Sequence, residues 1–495
     1  MKNNTRIAIF IVIFLLLQML PWALLISPLI VLKEIDFDIS GFEDIFTEIE
    51  ASQYPFSFEE NDDGGYTVTG IERTVIKNGQ EYEYIYEEIV IPSKYKGRPV
   101  TRIGEGAFKR LSSLKSINIP DSVTIIEKYA FECCNSLTEI ILPKSLTHIE
   151  ERAFDSCSSL RTVVFPESLE KIGSFAFSHC KNLQEITLPG SVESIGEYAF
   201  HCTHLDNVTL NYGLKSIGDR AFASCDFKEI VIPDSVTELG YWVFEYCGNL
   251  ESITLPKNIK YIPCGIIKNT KVKHISIPEG VVEIRDGAFN YCQLESIAFP
   301  STLKIIGGRA FVSSCIAEIA IPDSVDNIGS GLFKDCPKLT SVTLPDHFKT
   351  IPNGTFDGCR KLSTINCADD IECINASAFK GTSITEFIAS NALKSIGDSA
   401  FESCNSLSTV ILNEGLTGIP WRTFKNCSEL KEVVIPRSVT TIQYEAFAGC
   451  TSLESISYLG TIADWEAIDL HDTWLQGIKS ITIHCNDGDI VIENE

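Results

Sequence analysis

The segment Ala153-Phe154-Asp155-Ser156-Cys157-Ser158-Ser159-Leu160 returns, with small changes, every 22 or 23 residues along most of the chain. Phenylalanines mark the beat: Phe108, Phe131, Phe154, Phe177, Phe200, Phe222, Phe244, Phe289, Phe311, Phe333, Phe356, Phe379, Phe401, Phe424 and Phe447. The long gap between Phe244 and Phe289 spans two periods, with Ile267 on the missing beat, which makes sixteen units. A chain that repeats on a period of roughly 20–29 residues and is rich in Leu and Ile builds a solenoid, each turn lacking a core of its own until it stacks on the next. Such a fold displays surface rather than enclosing a pocket, so binding is expected before catalysis.

One unit shows how. In Leu137-Thr138-Glu139-Ile140-Ile141-Leu142-Pro143 the alternation places Ile140 and Leu142 inward on a strand. Pro143 has no N–H to give and ends it. Leu146-Thr147-His148-Ile149 reads as a second short strand with Leu146 and Ile149 inward. Arg152-Ala153-Phe154 then turns the chain, read here as a short helical or 3₁₀ segment, with Ala153 small so that Phe154 enters the core. Stacked at the parallel-strand spacing, the coils make an arc on the order of 75 Å. The fold class expected is a leucine-rich-repeat right-handed solenoid, mainly β with short turns or helical segments, of about sixteen units and preceded by one transmembrane helix.

The unit I-P-x-S-V-T-x-I-G-x-x-A-F-x-x-C-x-x-L, seen in Ile119-Pro120-Asp121-Ser122-Val123 and Ile232-Pro233-Asp234-Ser235-Val236-Thr237-Glu238-Leu239-Gly240, resembles the repeat of BspA-like leucine-rich-repeat surface proteins. Ile91-Pro92-Ser93 through Gly97-Arg98-Pro99-Val100-Thr101-Arg102-Ile103-Gly104 resembles that family's first coil, and Tyr458-Leu459-Gly460-Thr461 with Trp465 and Cys485-Asn486-Asp487-Gly488 its exit. The resemblance covers roughly residues 56 to 495. It implies an extracellular or surface-attached, non-enzymatic protein that adheres to host matrix proteins or other cells. The chain departs from the family in attachment, having no C-terminal cell-wall sorting pattern or secretion-system domain.

Residues Ile7 to Leu32 are almost wholly apolar, interrupted by Gln18, Pro21, Ser27 and Pro28. The run is long enough to span a bilayer, which needs about 20 residues. Lys2 and Arg6 precede it, whereas Glu34 through Asp63 carry eleven acids and no base, so the basic side points to a cytoplasmic N-terminus. An uncleaved signal-anchor over 1–33 is favoured; a long cleaved signal, giving a secreted protein, is the alternative. The acidic segment 34–86 includes Ser40-Gly41-Phe42-Glu43 as a capping box before Phe42, Ile45, Phe46 and Ile49 at helical spacing. Asn61-Asp62-Asp63-Gly64-Gly65 is a turn, and Tyr66 to Thr69 and Glu81 to Ile91 read as strands of an N-terminal cap. The solenoid then runs over 87–459 and a C-terminal cap over 460–495, with a strand from Ile478 to His484 and a turn at Asp487-Gly488-Asp489 before Ile490-Val491-Ile492.

Composition narrows the function. Apolar residues at 44% mark a globular chain, and a net charge of −25, from 41 basic and 66 acidic residues, excludes a nucleic-acid partner, which needs a basic stripe. It equally opposes adsorption on an anionic bilayer, leaving the N-terminal helix as the membrane contact.

Of the 18 cysteines, eleven stand three places after the beat residue, where Thr203, Thr270, Thr382, Ser314 and Leu111 also occur. A place shared by Cys, Thr and Ser wants a small, mildly polar buried group, hence a column of free thiols. No C-x₂-C metal spacing appears. Cys367 and Cys373 could pair. His201 and His204 beside Cys202 give a zinc hint, weighed against ordinary surface histidines. No catalytic motif, metal site or cofactor site is expected, and the chain is read as no enzyme.

The solvent side of the first strand holds Ile141, Val164, Thr187, Thr209, Val231, Thr254, Ser276, Ala298, Ala320, Thr343, Ile411 and Val434, with Glu139, Glu185, Glu229, Glu318, Glu386 and Glu432 two places earlier. This face is flat, small and somewhat acidic, suited to broad multivalent contact. Tyr241, Trp242 and Tyr246 in one turn, and Trp421 with Arg422 in another, are the candidate partner contacts, against the reading of packed aromatic turns. The function expected is a cell-surface protein mediating protein or cell adhesion contacts through protein partners, extracellular matrix or another cell's surface included; the alternative is a structural, self-assembling surface protein.

Overall fold

The structure, a computed structural model, describes residues 56–77, 80–367 and 369–493. The expected signal-anchor and the helix beginning at Phe42 lie outside the described residues. Among the described residues no helix is long and apolar enough to cross a membrane. The chain divides into two compact units, Met1–Ser168 and Leu169–Glu495.

Both units are β-solenoids built from the same coil. Each coil carries a three-residue strand, such as Glu139–Ile141, and a two-residue strand, such as His148–Ile149. In the first unit Glu139–Ile141 pairs in parallel with Thr162–Val164 in the register Ile140↔Val163, and His148–Ile149 pairs with Ile125–Ile126. The second unit repeats this with Glu185–Thr187 on Asn207–Thr209 and Ser194–Ile195 on Ser216–Ile217. In strands such as Glu139–Ile141, Glu185–Thr187 and Glu229–Val231 the middle residue is buried while its neighbours face out, the period-two pattern that the sequence predicts.

The beat residues form the core. The fifteen phenylalanines and Ile267 are buried. Successive rings stack, with centroids 5.3 Å apart for Phe108–Phe131 and 5.1 Å for Phe131–Phe154 in the first unit. In the second unit the rings stack on either side of Ile267, from Phe177–Phe200 at 5.5 Å to Phe424–Phe447 at 5.3 Å, with steps up to 6.0 Å. The coil repeat dictates this column: one ring per parallel-strand step leaves room for an offset stack and no more.

The turn carrying the phenylalanine is not the helical or 3₁₀ segment expected from Arg152-Ala153-Phe154. Two residues per turn are left-handed, two places before and two places after the beat, as in Tyr129 (φ 59) and Cys133 (φ 62). A left-handed non-glycine costs about 1–2 kcal/mol. The offsetting gain is a third ladder. Tyr129, Phe131 and Cys133 donate their N–H groups to the carbonyls of Glu151, Ala153 and Asp155 on the next coil, at 3.0, 2.7 and 2.8 Å. The alternate residues, Ala130, Glu132 and Cys134, donate to Glu127, Tyr129 and Phe131 within the coil. Every second N–H of the turn therefore points along the stack, which a helical turn cannot do. Coils also meet closely elsewhere: a Cβ on Gly196 would stand 2.4 Å from the backbone nitrogen of Ser174.

The expected strand Glu81–Ile91 is divided. Gln80–Glu83 closes a hairpin with Thr74–Lys77, whereas Glu88–Val90 joins the ladder on Ser116–Asn118. The halves serve different partners, and the Tyr86 hydroxyl, donating to the Glu72 carbonyl at 2.7 Å, pins the break. In the first unit, Phe56–Glu60 folds back on Tyr66–Ile71, and Phe56 meets Phe108 edge-on at 6.5 Å. In the second, a helix over Ile462–Glu466 starts on a Thr461–Asp464 capping box, and Trp474 meets Phe447 edge-on at 6.1 Å, one rung beyond the last phenylalanine. Ser480–Cys485 extends the ladder and turns back as a hairpin with Gly488–Glu493.

Candidate interaction surface

The strand face is one regular surface each unit offers. In the first unit Ile141 and Val164 are 77% and 69% exposed and lie in register on adjacent strands. In the second, Ile388, Ile411 and Val434 fall in register on three successive strands, an aliphatic stripe bordered by the exposed Glu386 and Glu432. Small polar residues such as Thr187, Thr209 and Thr254 occupy the same place elsewhere. The strand ladder is interrupted between Thr364–Asn366 and Glu386–Ile388, where a cleft of about 520 Å³ opens onto Ile365, Phe387 and Phe401.

The turns form a second surface. Trp242 lies under the Arg220 guanidinium, 4.3 Å from the ring centre, and against Gly265, where a Cβ would stand 2.2 Å from its Cδ1. Arg220 donates to Tyr198 Oη at 2.7 Å and to Glu245 Oε2 at 3.1 Å; Lys268 reaches Glu245 Oε1 at 2.8 Å and faces the Tyr246 ring. Tyr241 accepts from Arg285 at 3.0 Å. Trp242 is thus packed, while Tyr246 stays 56% exposed. Trp421, also 56% exposed, stands edge-on to Tyr444, and Arg422 is tied to Glu445 at 2.8 Å. The structure sets these two turns apart, on different coils of the second unit. The Lys425 ammonium and the Arg422 guanidinium hold the Glu445 carboxyl below its ordinary range.

The cysteine column lines the interior behind the rings. Its eleven members are buried free thiols. Cys134, Cys157, Cys247 and Cys336 each donate to the carbonyl of the phenylalanine one coil earlier, at 3.1 to 3.2 Å. Where Thr203, Thr270 or Thr382 takes the place, the hydroxyl donates to the beat carbonyl of its own coil at 2.8 Å. A small donor at this place can reach a beat carbonyl of either coil, which explains why the position takes Cys or Thr. Burial pushes the Cys247 and Cys292 thiols up to about 12 and Cys404 to about 11, so none of these is a ready nucleophile. Cys367, exposed, and Cys373, half-buried, are also free thiols.

The histidine hint at His201, His204 and Cys202 resolves differently. His204 bonds Asp226 Oδ2 at 2.6 Å on the surface. His179, from the preceding coil, takes its place: its ligand atom and those of His201 and Cys202 lie within 4.8 Å of one another. Local spacing hides this grouping, because His179 and Cys202 are a full period apart; both stand two places after their phenylalanines.

Coils with a three-residue strand, a left-handed turn ladder and a Leu/Ile interior define a leucine-rich-repeat β-solenoid. The model of the BspA type leucine rich repeat region matches residues 76–202, 171–294, 282–406 and 372–485, and the chain belongs to this family. It is similar to a leucine-rich repeat protein from Bacteroides ovatus, at 26% identity over 87% of this chain and 98% of that one, with a TM-score of 0.58. A leucine rich cell surface protein from Faecalibacterium prausnitzii shares 27% identity over 84% of this chain and 96% of its own, at a TM-score of 0.41. The pneumococcal vaccine antigen PcpA shares 19% over 88% and 97%, at 0.36. No curated protein matches the chain.

Proposed function

We propose that the chain is a non-catalytic surface scaffold, held to the cell by its apolar N-terminal segment with the repeats outside, and that its strand faces bind proteins of the extracellular matrix or of another cell. The observation that carries this reading is the aliphatic stripe of exposed Ile388 and half-buried Ile411 and Val434, in register between Glu386 and Glu432. A β-solenoid satisfies its backbone internally, so the exposed Ile388 with its half-buried neighbours, and the exposed Ile141 and Val164 in register on adjacent strands, serve contact with something outside the chain. Membership of the BspA type family supports a protein-contact role. The acidic charge favours cationic partners and opposes nucleic acid. The exposed Tyr246 and Trp421 are assigned as secondary anchors on the turns.

The test uses the full chain in its own membrane. Protease added to intact cells is expected to release repeat peptides, and immobilised matrix proteins are expected to capture the purified chain, with Ile411→Glu lowering capture. Protection of the repeats inside unbroken cells overturns the topology. Concentration-dependent growth in light scattering without capture replaces the scaffold by a self-assembling surface protein.

A further inference from the structure

We infer that His179, His201 and Cys202 form a zinc site with three protein ligands and one open position. Among the described residues this is the one group of three such ligands so gathered. The fold builds it by register. His179 (φ 58) and Cys202 (φ 55) occupy the same left-handed place on adjacent coils, so their side chains leave the turn in parallel, one coil step apart. The backbone fixes both: His179 N–H donates to the His201 carbonyl at 2.8 Å, and Cys202 N–H to the Ala223 carbonyl at 3.0 Å. His201 precedes Cys202 and brings the second imidazole to the same spot.

The distances suit zinc. His201 Nε2 stands 3.3 Å from Cys202 Sγ. A tetrahedral ion with Zn–S of about 2.3 Å and Zn–N of about 2.0 Å requires an edge of about 3.5 Å between those atoms. The rings of His179 and His201 meet at 81° with centroids 5.3 Å apart, so their nitrogens converge without stacking. The three ligand atoms all lie within 4.8 Å of one another.

The surroundings also hold the site. The Tyr198 ring lies edge-on to His201, with centroids 5.1 Å apart, and fixes its plane. The neighbouring Arg220 cation is engaged by Glu245 and Tyr198, which takes much of its charge away from an incoming dication. All three ligand residues are half-buried, so a fourth position stays open to water or to a partner's side chain. Two imidazoles and one thiolate are the borderline-soft set that zinc takes. On binding, the Cys202 sulfur gives its proton to solvent and takes the ion as thiolate.

The experiment uses the full chain, stripped with chelator and given Zn²⁺ alone. One zinc per chain is expected to survive gel filtration. His179→Asn and Cys202→Ser are each expected to weaken it by at least about tenfold, while His204→Gln binds as the unmodified chain does. The variants' metal-free thermal transitions serve as the folding control. Should either fail to fold, the cobalt spectrum of the unmodified chain decides, with tetrahedral bands and a thiolate charge-transfer band expected. No retained zinc, undiminished binding by Cys202→Ser, a cobalt spectrum without the thiolate band, or uptake of Cu⁺ with no zinc would each overturn the assignment.

Discussion

Two columns of side chains run along the second unit, two residues apart in every coil. One holds the stacked rings of Phe177, Phe200, Phe222 and Phe244, all buried. The other, two places on, holds His179, Cys202, Ser224, Tyr246, Asn269 and Tyr291. The backbone treats them alike: Phe200 N–H donates to the next coil at 2.8 Å and Cys202 N–H at 3.0 Å. Position in both columns is therefore set by main-chain bonds. Only the inward column must also fill a volume, so it repeats one residue. The outward column is free to vary, and there stand the proposed zinc ligands His179 and Cys202 and the proposed anchor Tyr246. In a solenoid the departures from the repeat, rather than the repeat, mark where to look for function.

The contrast is sharpest under truncation. Phe200→Ala removes a ring stacked on both sides, by Phe177 and Phe222 at 5.5 and 5.4 Å, and is expected to cost about 3–5 kcal/mol in denaturant unfolding. Because each coil leans on its neighbours, the loss should be read in the whole unit's transition. An unchanged midpoint would contradict the role given to the inward column.

Glu445→Gln comes next. Glu445 is buried between Arg422 and Lys425, which hold its carboxyl below the ordinary range. A carboxyl depressed in the folded state adds stability above its unfolded value, about 4.3, and loses it as pH falls toward the folded value. Glu445→Gln should cost about 1–3 kcal/mol at neutral pH. The gap to the unmodified chain should close as the medium is acidified below about pH 4. Thermal melts across that range check it; a gap that widens in acid reverses the sign and removes the ion pair as the cause.

Cys157→Thr tests the interior from its polar side. The Phe131 carbonyl already accepts the Cys134 N–H at 3.2 Å, and Cys157 takes its second lone pair at 3.1 Å. Threonine in that place elsewhere bonds its own coil's carbonyl, as Thr203 does at 2.8 Å. The exchange should cost less than about 1.5 kcal/mol, well below the phenylalanine truncation. Alkylation of the native chain should label the exposed Cys367 ahead of Cys157 and the rest of the buried column. Equal labelling rates would place that column outside the core.

How much the sequence shows follows from the same two columns. The beat of Phe108 to Phe447 is legible because burial restricts the residue type, and Ile267 on the missing beat is buried as its spacing implies. The Cys/Thr exchange is legible because the place is buried between two beat carbonyls and suits any small donor that reaches either. The turn is hidden because its left-handed places hold Tyr129, Arg152, His179 and Tyr198, none of which signals a positive φ. The signal lay in the glycines: Gly106, Gly265, Gly287, Gly331 and Gly354 stand two places before the beat, and Gly358, Gly381 and Gly449 two places after. Read down the stack rather than along the chain, they mark both positions. The same downward reading joins His179 to Cys202, which a search for neighbours in sequence passes over in favour of His204.

The smallest effect expected is the most informative about contact. Tyr246 belongs to the outward column, 56% exposed, with Lys268 Nζ 5.6 Å from its ring centre. Lys268 keeps its bond to Glu245 at 2.8 Å when the ring is removed. Tyr246→Ala should therefore move stability by no more than about 0.5 kcal/mol. Trp242→Ala, four places earlier in the same turn, strips the ring from Arg220 and from the face of Gly265 and should cost more. Capture by a partner separates the two in the other direction: Tyr246→Ala is expected to lower it at unchanged stability. A Tyr246 variant that binds undiminished would confine recognition to the strand face and leave the aromatic turn as packing alone.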